Sequence, residues 1–202
     1  MSFSDSLLDS IADQLASQGY ILLPDALPHN VLEPLLQRAQ ELREHHFRKA
    51  GVGRGQGLQQ NDSIRSDEIC WLEAKDPREA AYLEWMESLR VGLNRRLFLG
   101  LFDFECHFAH YDVGAHYDRH VDAHRGQRNR ILSAVCYLNH DWSEDDGGEL
   151  ILYPMEGEQA LASVLPSFGT LALFLSEDFP HEVRHAHRPR FSVTGWFRPP
   201  RH

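Results

Sequence analysis

The chain has 202 residues, 42% of them hydrophobic and 25% charged, a composition typical of folded globular proteins rather than disordered ones. Lys and Arg number 20 against 30 Asp and Glu, so the formal net charge is −10. This acidic balance argues against a general nucleic-acid or anionic-membrane partner. The sequence contains no run of about 18 apolar residues, and its start lacks the basic residues of a signal peptide, so we expect a cytoplasmic location.

The N-terminal half is predicted to be mainly helical. Apolar residues at helical spacing predict helices over 4–18, about 28–50 and about 76–99, with a short strand at Tyr20–Leu23. Gly51–Gly57 has glycine at alternate positions and predicts a mobile loop. Residues 63–73 predict a small hairpin, so that about 51–73 together form a mobile finger.

The C-terminal half is predicted to be β-rich. Short apolar or alternating segments predict about eight strands, at 104–111, 117–122, 130–138, 149–153, 161–165, 169–175, 181–185 and 190–197. Such spacing is typical of a sandwich, barrel or jelly roll. We therefore expect an α+β fold with one domain over 1–202, in which the mainly helical 1–100 supports the β core of 101–198.

Histidine is the unusual residue, with 13 in the chain, and one pair of polar residues suits metal binding. His120 and Asp122 are two residues apart on a predicted strand and so point to the same face. With one distant histidine they would form a 2-His-1-carboxylate site, which leaves positions open on Fe(II). His116 and Asp118 have the same spacing, and either pair is also consistent with ordinary surface residues.

The last predicted strand places an arginine on a face with other polar groups. The period of two puts Arg190, Ser192, Thr194 and Trp196 on one face, with Phe191, Val193 and Phe197 on the other. If Arg190 points inward it requires an anion, and a carboxylate is its best partner. The alternative is a surface arginine on an edge strand.

Several motifs in order carry a resemblance to a known family. They are Tyr111-x2-Gly114-x2-Tyr117-x2-His120-x-Asp122, Tyr137-Leu-Asn139, Gly147-Gly-Glu-Leu150, Pro180-His-Glu-Val183 and Arg190-x3-Thr194-x-Trp196. Together they resemble the Fe(II)/2-oxoglutarate prolyl 4-hydroxylases, above all the hypoxia-inducible-factor prolyl hydroxylases and their bacterial relatives that modify elongation factor Tu. Ile64-Arg65-Ser-Asp67 resembles that family's substrate-covering finger. The resemblance covers about 60–198 and implies a double-stranded β-helix, or jelly-roll, catalytic core.

The resemblance also implies roles for particular residues. The metal ligands would be His120, Asp122 and His181, which makes His116 and Asp118 bystanders. Arg190 would pair with the far carboxylate of 2-oxoglutarate, helped by Thr194 and Tyr137, with Tyr111 and Leu150 lining the same pocket. Arg65, Asp67, Tyr117, Arg130 and Trp196 would lie near the peptide substrate. We further expect an Asp67–Arg130 ion pair and a pocket wall that includes Leu173.

The implied reaction is hydroxylation of a prolyl residue at C4, with release of succinate and CO2. It would require Fe(II), 2-oxoglutarate and O2, with ascorbate as a further reductant, and the resemblance suggests a role in oxygen sensing. The chain ends four residues after Arg198 and has no preceding zinc-finger module, which favours elongation factor Tu as the protein substrate. No nucleic-acid or membrane partner is expected.

Three alternatives remain open from the sequence. The first is an Fe(II)/2-oxoglutarate oxygenase that acts on another protein, a free amino acid or an alkylated base. The second is a cupin-like metal-binding protein, which normally needs more histidine ligands, with His107, His110 and His116 available. The third is an oxygen or iron sensor that works through partner binding.

Overall fold

The computed structural model describes residues 2–51, 61–124, 126–127 and 129–200. Within them, three helices cover the N-terminal half: α1 (Asp5–Gln18), α2 (His29–Arg43) and α3 (Pro77–Leu97). The Ser4 side chain caps α1 by accepting a hydrogen bond from the Leu7 N–H, and Gly19 ends it at a φ of 81°. Asp76 caps α3 in the same way through the Arg78 N–H.

The end of the second helix differs from the prediction. We expected a helix to about residue 50, but α2 ends at Arg43 and a two-residue strand, β2 (Arg48–Lys49), follows. The apolar stripe of α2 stops at Leu42, because the next positions on that face are His45 and His46. Pairing of β2 with a neighbouring strand then determines the backbone conformation.

Eleven strands lie in the described part of the chain. They are β1 (Tyr20–Leu23), β2, β3 (Glu68–Trp71), β4 (Asp103–Tyr111), β5 (Tyr117–His120), β6 (Leu132–Tyr137), β7 (Leu150–Leu152), β8 (Ala162–Val164), β9 (Leu171–Leu175), β10 (His181–Val183) and β11 (Arg190–Arg198). A seven-stranded sheet has the order β1-β9-β6-β11-β4-β3-β2, and a four-stranded sheet has the order β5-β10-β7-β8. All named pairs are antiparallel. This is the expected jelly-roll arrangement, and its eight strands after residue 100 match the eight predicted ones.

Two apolar cores occupy the two faces of the larger sheet. One face packs against the helices and contributes Phe108, Val193 and Phe197, while the other faces the smaller sheet and contributes Tyr137 and Phe174. On the helical side, Gly92 of α3 is needed because a Cβ there would lie 2.6 Å from a methyl group of Leu8. The helices thus brace the sheet from behind and leave its other face to form a cavity.

The alternation along β9 corrects one expectation. Leu173 lies in the helix-facing core, whereas Phe174 faces the smaller sheet and its ring centroid is 4.8 Å from that of His181. The prediction that Leu173 forms a wall of the functional pocket is therefore wrong.

None of the helices in the described part of the chain combines the length and the apolar character that a membrane-spanning helix requires.

Candidate active site

A cavity of about 1370 Å³ opens between the two sheets and extends toward β2 and β3. Thirteen of the predicted site residues line it, and Leu173 does not: Arg65, Asp67, Tyr111, Tyr117, His120, Asp122, Arg130, Tyr137, Leu150, His181, Arg190, Thr194 and Trp196. The fold therefore brings together residues spread over more than half of the chain. The distances between their side chains and their hydrogen-bond partners indicate what each residue can do.

Three of these residues form a cluster that can hold a metal ion. His120 ends β5, His181 begins β10 directly opposite it, and Asp122 lies two residues past the end of β5. The Asp122 carboxylate oxygens are 3.8 Å from His120 Nε2 and 3.7 Å from His181 Nε2. One ligand atom from each residue lies within 4.8 Å of the others. Two imidazoles and one carboxylate are the donor set of non-haem Fe(II) sites.

Backbone carbonyls orient both imidazoles. His120 Nδ1 lies 2.8 Å from the Asp118 carbonyl oxygen, and His181 Nδ1 lies 2.9 Å from that of Phe179. Because a carbonyl can only accept, each Nδ1 carries the proton and each Nε2 keeps a lone pair directed at the cluster. This is the tautomer that a metal ligand needs.

Ser133 holds the Asp122 carboxylate and is itself in contact with Ser176, and neither serine was predicted as a site residue. Ser133 Oγ donates to Asp122 Oδ2 at 2.6 Å and contacts Ser176 Oγ at 2.8 Å. Ser133 is fully buried in β6, where its neighbours are apolar. A lone hydroxyl inside an apolar strand was the available signal, since a buried polar group requires a partner.

The charges in the cluster favour the metal-binding protonation states. Burial, followed by the charge of the neighbouring His181, lowers the pKa of His120 to about 3, so the imidazole is neutral. Burial opposes ionisation of Asp122, but the two imidazoles and the Ser133 hydroxyl outweigh it and hold its pKa below the usual range. A neutral His120 imidazole beside an ionised Asp122 carboxylate fits a divalent cation.

Besides the metal cluster, the cavity contains a buried arginine, Arg190. It is 1% exposed, and its guanidinium lies over the rings of Tyr111 and Tyr137, 4.7 and 5.1 Å from their centroids. In the described part of the chain it has no carboxylate partner, and its Nε has no hydrogen bond. The Tyr137 hydroxyl also lacks a partner. A buried, unpaired guanidinium is costly, so this end of the cavity fits an anionic ligand such as the far carboxylate of 2-oxoglutarate.

The remaining predicted cavity residues divide between its wall and its mouth. Thr194 lies on the same strand and face as Arg190, as the period of two predicted, and Leu150 is a buried wall residue. At the mouth, the guanidinium of Arg130 lies 3.5 Å from the centroid of the Trp196 ring.

The predicted ion pair across the mouth is wrong. Asp67 instead accepts two hydrogen bonds from Arg65, at 2.6 and 3.0 Å, and Arg130 pairs with Glu105 at 3.6 Å. Asp67 is 1% exposed and Arg65 is only two residues away, so the nearer guanidinium satisfies it. The finger is nevertheless attached to the core, because Arg65 forms a backbone bridge with Tyr117. Residues 52–60 of the predicted finger lie outside the described residues.

The other histidines take no part in the cluster. His116 stacks on His185 and lies 3.5 Å from Asp118, as expected for a bystander pair. His107 contacts the Phe108 carbonyl, and His110 accepts a hydrogen bond from Arg43. Among the described residues only His120, Asp122 and His181 form a potential metal cluster, so the additional histidine ligands of the cupin-like alternative are not found there.

Comparison with known proteins agrees with this site. The profile of the 2OG-Fe(II) oxygenase superfamily matches residues 106–198. The fold is similar to the crystal structure of a Pseudomonas putida prolyl-4-hydroxylase, with 39% identity, a TM-score of 0.87 and coverage of 95% of this chain and 99% of that one. It is also similar to the Trichoplax adhaerens prolyl hydroxylase solved with a hypoxia-inducible-factor peptide, with 28% identity, a TM-score of 0.83 and coverage of 96% and 90%.

Among curated proteins, human Egl nine homolog 1 is 34% identical over 152 residues, which is 69% of this chain and 35% of that protein. The chain thus spans about a third of the length of that relative. The chain belongs to the 2OG-Fe(II) oxygenase superfamily and, within it, to the prolyl hydroxylase family. Family membership implies Fe(II), 2-oxoglutarate and O2 as the reaction components.

Proposed function

We propose that this chain is an Fe(II)- and 2-oxoglutarate-dependent dioxygenase that hydroxylates a prolyl residue at C4 in a protein substrate. The observation that carries the proposal is the buried Arg190 guanidinium, which lacks an anion in the cavity that also contains the His120, Asp122 and His181 cluster. A metal-binding protein that does not use a dicarboxylate has no need of such a group. The 39% identity with a prolyl-4-hydroxylase over nearly the whole chain supports the prolyl target.

In this proposal His120, Asp122 and His181 hold Fe(II), and Arg190 binds the far carboxylate of 2-oxoglutarate by a charge-assisted hydrogen bond. Thr194 and the Tyr137 hydroxyl add hydrogen bonds to the same carboxylate. When bound, iron, 2-oxoglutarate and O2 supply the oxidising chemistry, with succinate and CO2 as the other products.

The described lining of the cavity contains no spare carboxylate. Its two carboxylates in the described residues, Asp67 and Asp122, are engaged by Arg65 and by the metal cluster. Hydroxylation of an unactivated carbon removes hydrogen without a protein base, so this lining suits the reaction. The buried rings of Tyr137 and Trp196 and the Leu150 side chain exclude water from the reacting centre.

The proposed substrate is elongation factor Tu, on the resemblance to bacterial family members that modify it, and the proposed location is the cytoplasm. The test is a mass spectrum of elongation factor Tu after incubation with this protein, Fe(II), 2-oxoglutarate and air. We expect a gain of one oxygen on a prolyl residue. The His120→Ala variant is expected to abolish it, and His140→Ala, at an exposed histidine that pairs with Glu33, is expected to leave it unchanged.

The outcomes separate the parts of the proposal. Succinate formation without oxygen gain would retain the oxygenase and reject elongation factor Tu. No succinate and no oxygen gain would reject the reaction class. Omission of ascorbate from the same assay tests whether the protein needs that reductant.

A further inference from the structure

The charge on the cavity lining is opposite to that of the whole chain. Among the described residues, the lining contains six basic side chains, from Arg48, Lys49, Arg65, Arg119, Arg130 and Arg190, and two acidic ones, Asp67 and Asp122. The chain as a whole has a net charge of −10. A cationic cavity mouth in an acidic protein favours an acidic ligand.

Most of these cations already have partners or a role. Arg65 pairs with Asp67, Lys49 pairs with Asp62, and Arg130 pairs with Glu105. Arg190 lies in the buried part of the cavity and is assigned above to 2-oxoglutarate. At the mouth, Arg48 and Arg119 are left without a carboxylate partner in the described part of the chain, and Arg48 bonds only to backbone carbonyls of its own turn.

Arg119 is the cation that the fold holds in place. Its guanidinium lies over the Tyr153 ring, 4.1 Å from the centroid, and Nη2 donates to the carbonyls of Pro154 and Gly157 at 3.2 and 3.0 Å. The Tyr153 hydroxyl is itself fixed by a 2.8 Å hydrogen bond to Glu182. Nε and Nη1 make no hydrogen bond in the described residues, so two donors are pre-ordered for a ligand.

The position of Arg119 points to the substrate rather than to the cosubstrate. Arg119 precedes His120 on β5, so its side chain leaves the opposite face of that strand; it is exposed and lines the cavity, as Met155 does, whereas Arg190 is buried. An extended peptide with its proline at the cluster would place a flanking residue at this mouth, since successive residues advance about 3.3 Å.

We propose that Arg119 is a specificity-determining residue that binds the carboxylate of an Asp or Glu flanking the target proline. This inference rests on the proposed function, because it assumes a peptide substrate. The Arg119 guanidinium keeps its two carbonyl partners through Nη2, and its Nε–H or its Nη1–H can each donate one charge-assisted hydrogen bond to a carboxylate. Substrates with acidic residues near the proline are therefore selected over those with amides.

Binding should be measured apart from turnover. The probe is a library of peptides with one proline and Asp, Glu, Asn, Gln or Lys at each of the four positions on either side. Retention is measured without oxygen, on protein loaded with Mn(II) and 2-oxoglutarate. We expect enrichment of Asp or Glu over the matching amide at one position, by roughly tenfold for a charge-assisted hydrogen bond of about 1.4 kcal/mol.

Variants determine whether Arg119 causes the selection. Arg119→Gln should remove the acidic preference while still binding the amide peptides, Arg119→Lys should retain part of it, and Arg119→Glu should favour Lys. Arg184→Gln is the matched control, since Arg184 is an exposed arginine outside the cavity. An absence of acidic enrichment, or enrichment that survives Arg119→Gln, would overturn the inference. Peptides that bind with the expected preference but gain no oxygen with Fe(II) and air would reject the proposed reaction instead.

Discussion

The ring of Tyr117 lies parallel to the imidazole of His120, with the centroids 3.6 Å apart and the planes 15° apart. The guanidinium of Arg65 also lies over the Tyr117 ring, 4.5 Å from its centroid. The stack therefore connects the segment around Arg65 to a proposed metal ligand. Because Tyr117 fixes the plane of the imidazole, it should affect how firmly His120 holds a metal.

Replacement of Tyr117 tests this connection. Tyr117→Leu should speed Co(II) release to a chelator roughly two- to tenfold, because an aromatic contact contributes about 0.5–1.5 kcal/mol. Tyr117→Phe keeps the ring and should release Co(II) at the wild-type rate. Equal release from Tyr117→Leu and wild type would show that the stack does not support the ligand.

Arg190 should lower the free energy of unfolding of the ligand-free protein, because its guanidinium is positioned to bind 2-oxoglutarate. Arg190→Met removes a buried guanidinium that has no anion, so the free energy of unfolding without 2-oxoglutarate should rise by about 1–3 kcal/mol. The same variant should lose the increase in Tm that 2-oxoglutarate gives the wild type with Mn(II). Thermal unfolding with and without 2-oxoglutarate measures both effects.

The control for that experiment is Arg188→Met, at a partly exposed arginine whose guanidinium lies over Trp142. It should keep the 2-oxoglutarate response. A full response in Arg190→Met would mean that another residue binds the dicarboxylate.

The Arg65–Asp67 pair should carry a measurable coupling energy. A double-mutant cycle with Arg65→Gln and Asp67→Asn should give about 1–3 kcal/mol from urea unfolding, because the carboxylate is buried and held by two hydrogen bonds. The parallel cycle with Asp67→Asn and Arg130→Gln should give a smaller value. A larger coupling energy between Asp67 and Arg130 than between Asp67 and Arg65 would instead support the ion pair predicted from the sequence.

His107 should make the protein sensitive to acid. It is buried between Trp71 and Trp196, with Arg65, Asp67 and Arg130 nearby; burial, followed by the charge of Arg65, lowers its pKa to about 4. A base with a depressed folded-state pKa stabilises the native state above its unfolded value of about 6.5. That stability is lost as the pH falls from about 6.5 toward 4, since the unfolded chain binds the proton first.

The experiment compares urea unfolding at pH 7 and pH 5. His107→Phe should lose less stability than the wild type over this interval, by about 1–2 kcal/mol. His45→Phe, at an exposed histidine, should behave like the wild type. Identical pH dependence in His107→Phe and wild type would contradict the burial argument.

The sequence predicted the strands of the β half well, because alternation and turn residues are local signals. The predictions failed where the pairing of strands distant in sequence determines which face a side chain occupies. Leu171–Leu175 is continuously apolar, so nothing in it distinguishes the face of Leu173 from that of Phe174. The contact between Ser133 and Ser176 depends on strand pairing across 43 residues of sequence and could not be predicted. The roles of the cavity residues came from the family resemblance, while their common location came from the fold.

The attachment of residues 64–66 to β5 has an evolutionary consequence. Asp118 N–H donates to the Ile64 carbonyl at 2.8 Å, and Ser66 N–H donates to the His116 carbonyl at 3.1 Å. Main-chain groups are the same for nearly every amino acid, so these two hydrogen bonds survive substitution of the side chains at either position. The segment can therefore diverge in sequence, and with it the choice of substrate, without losing its place beside the metal cluster.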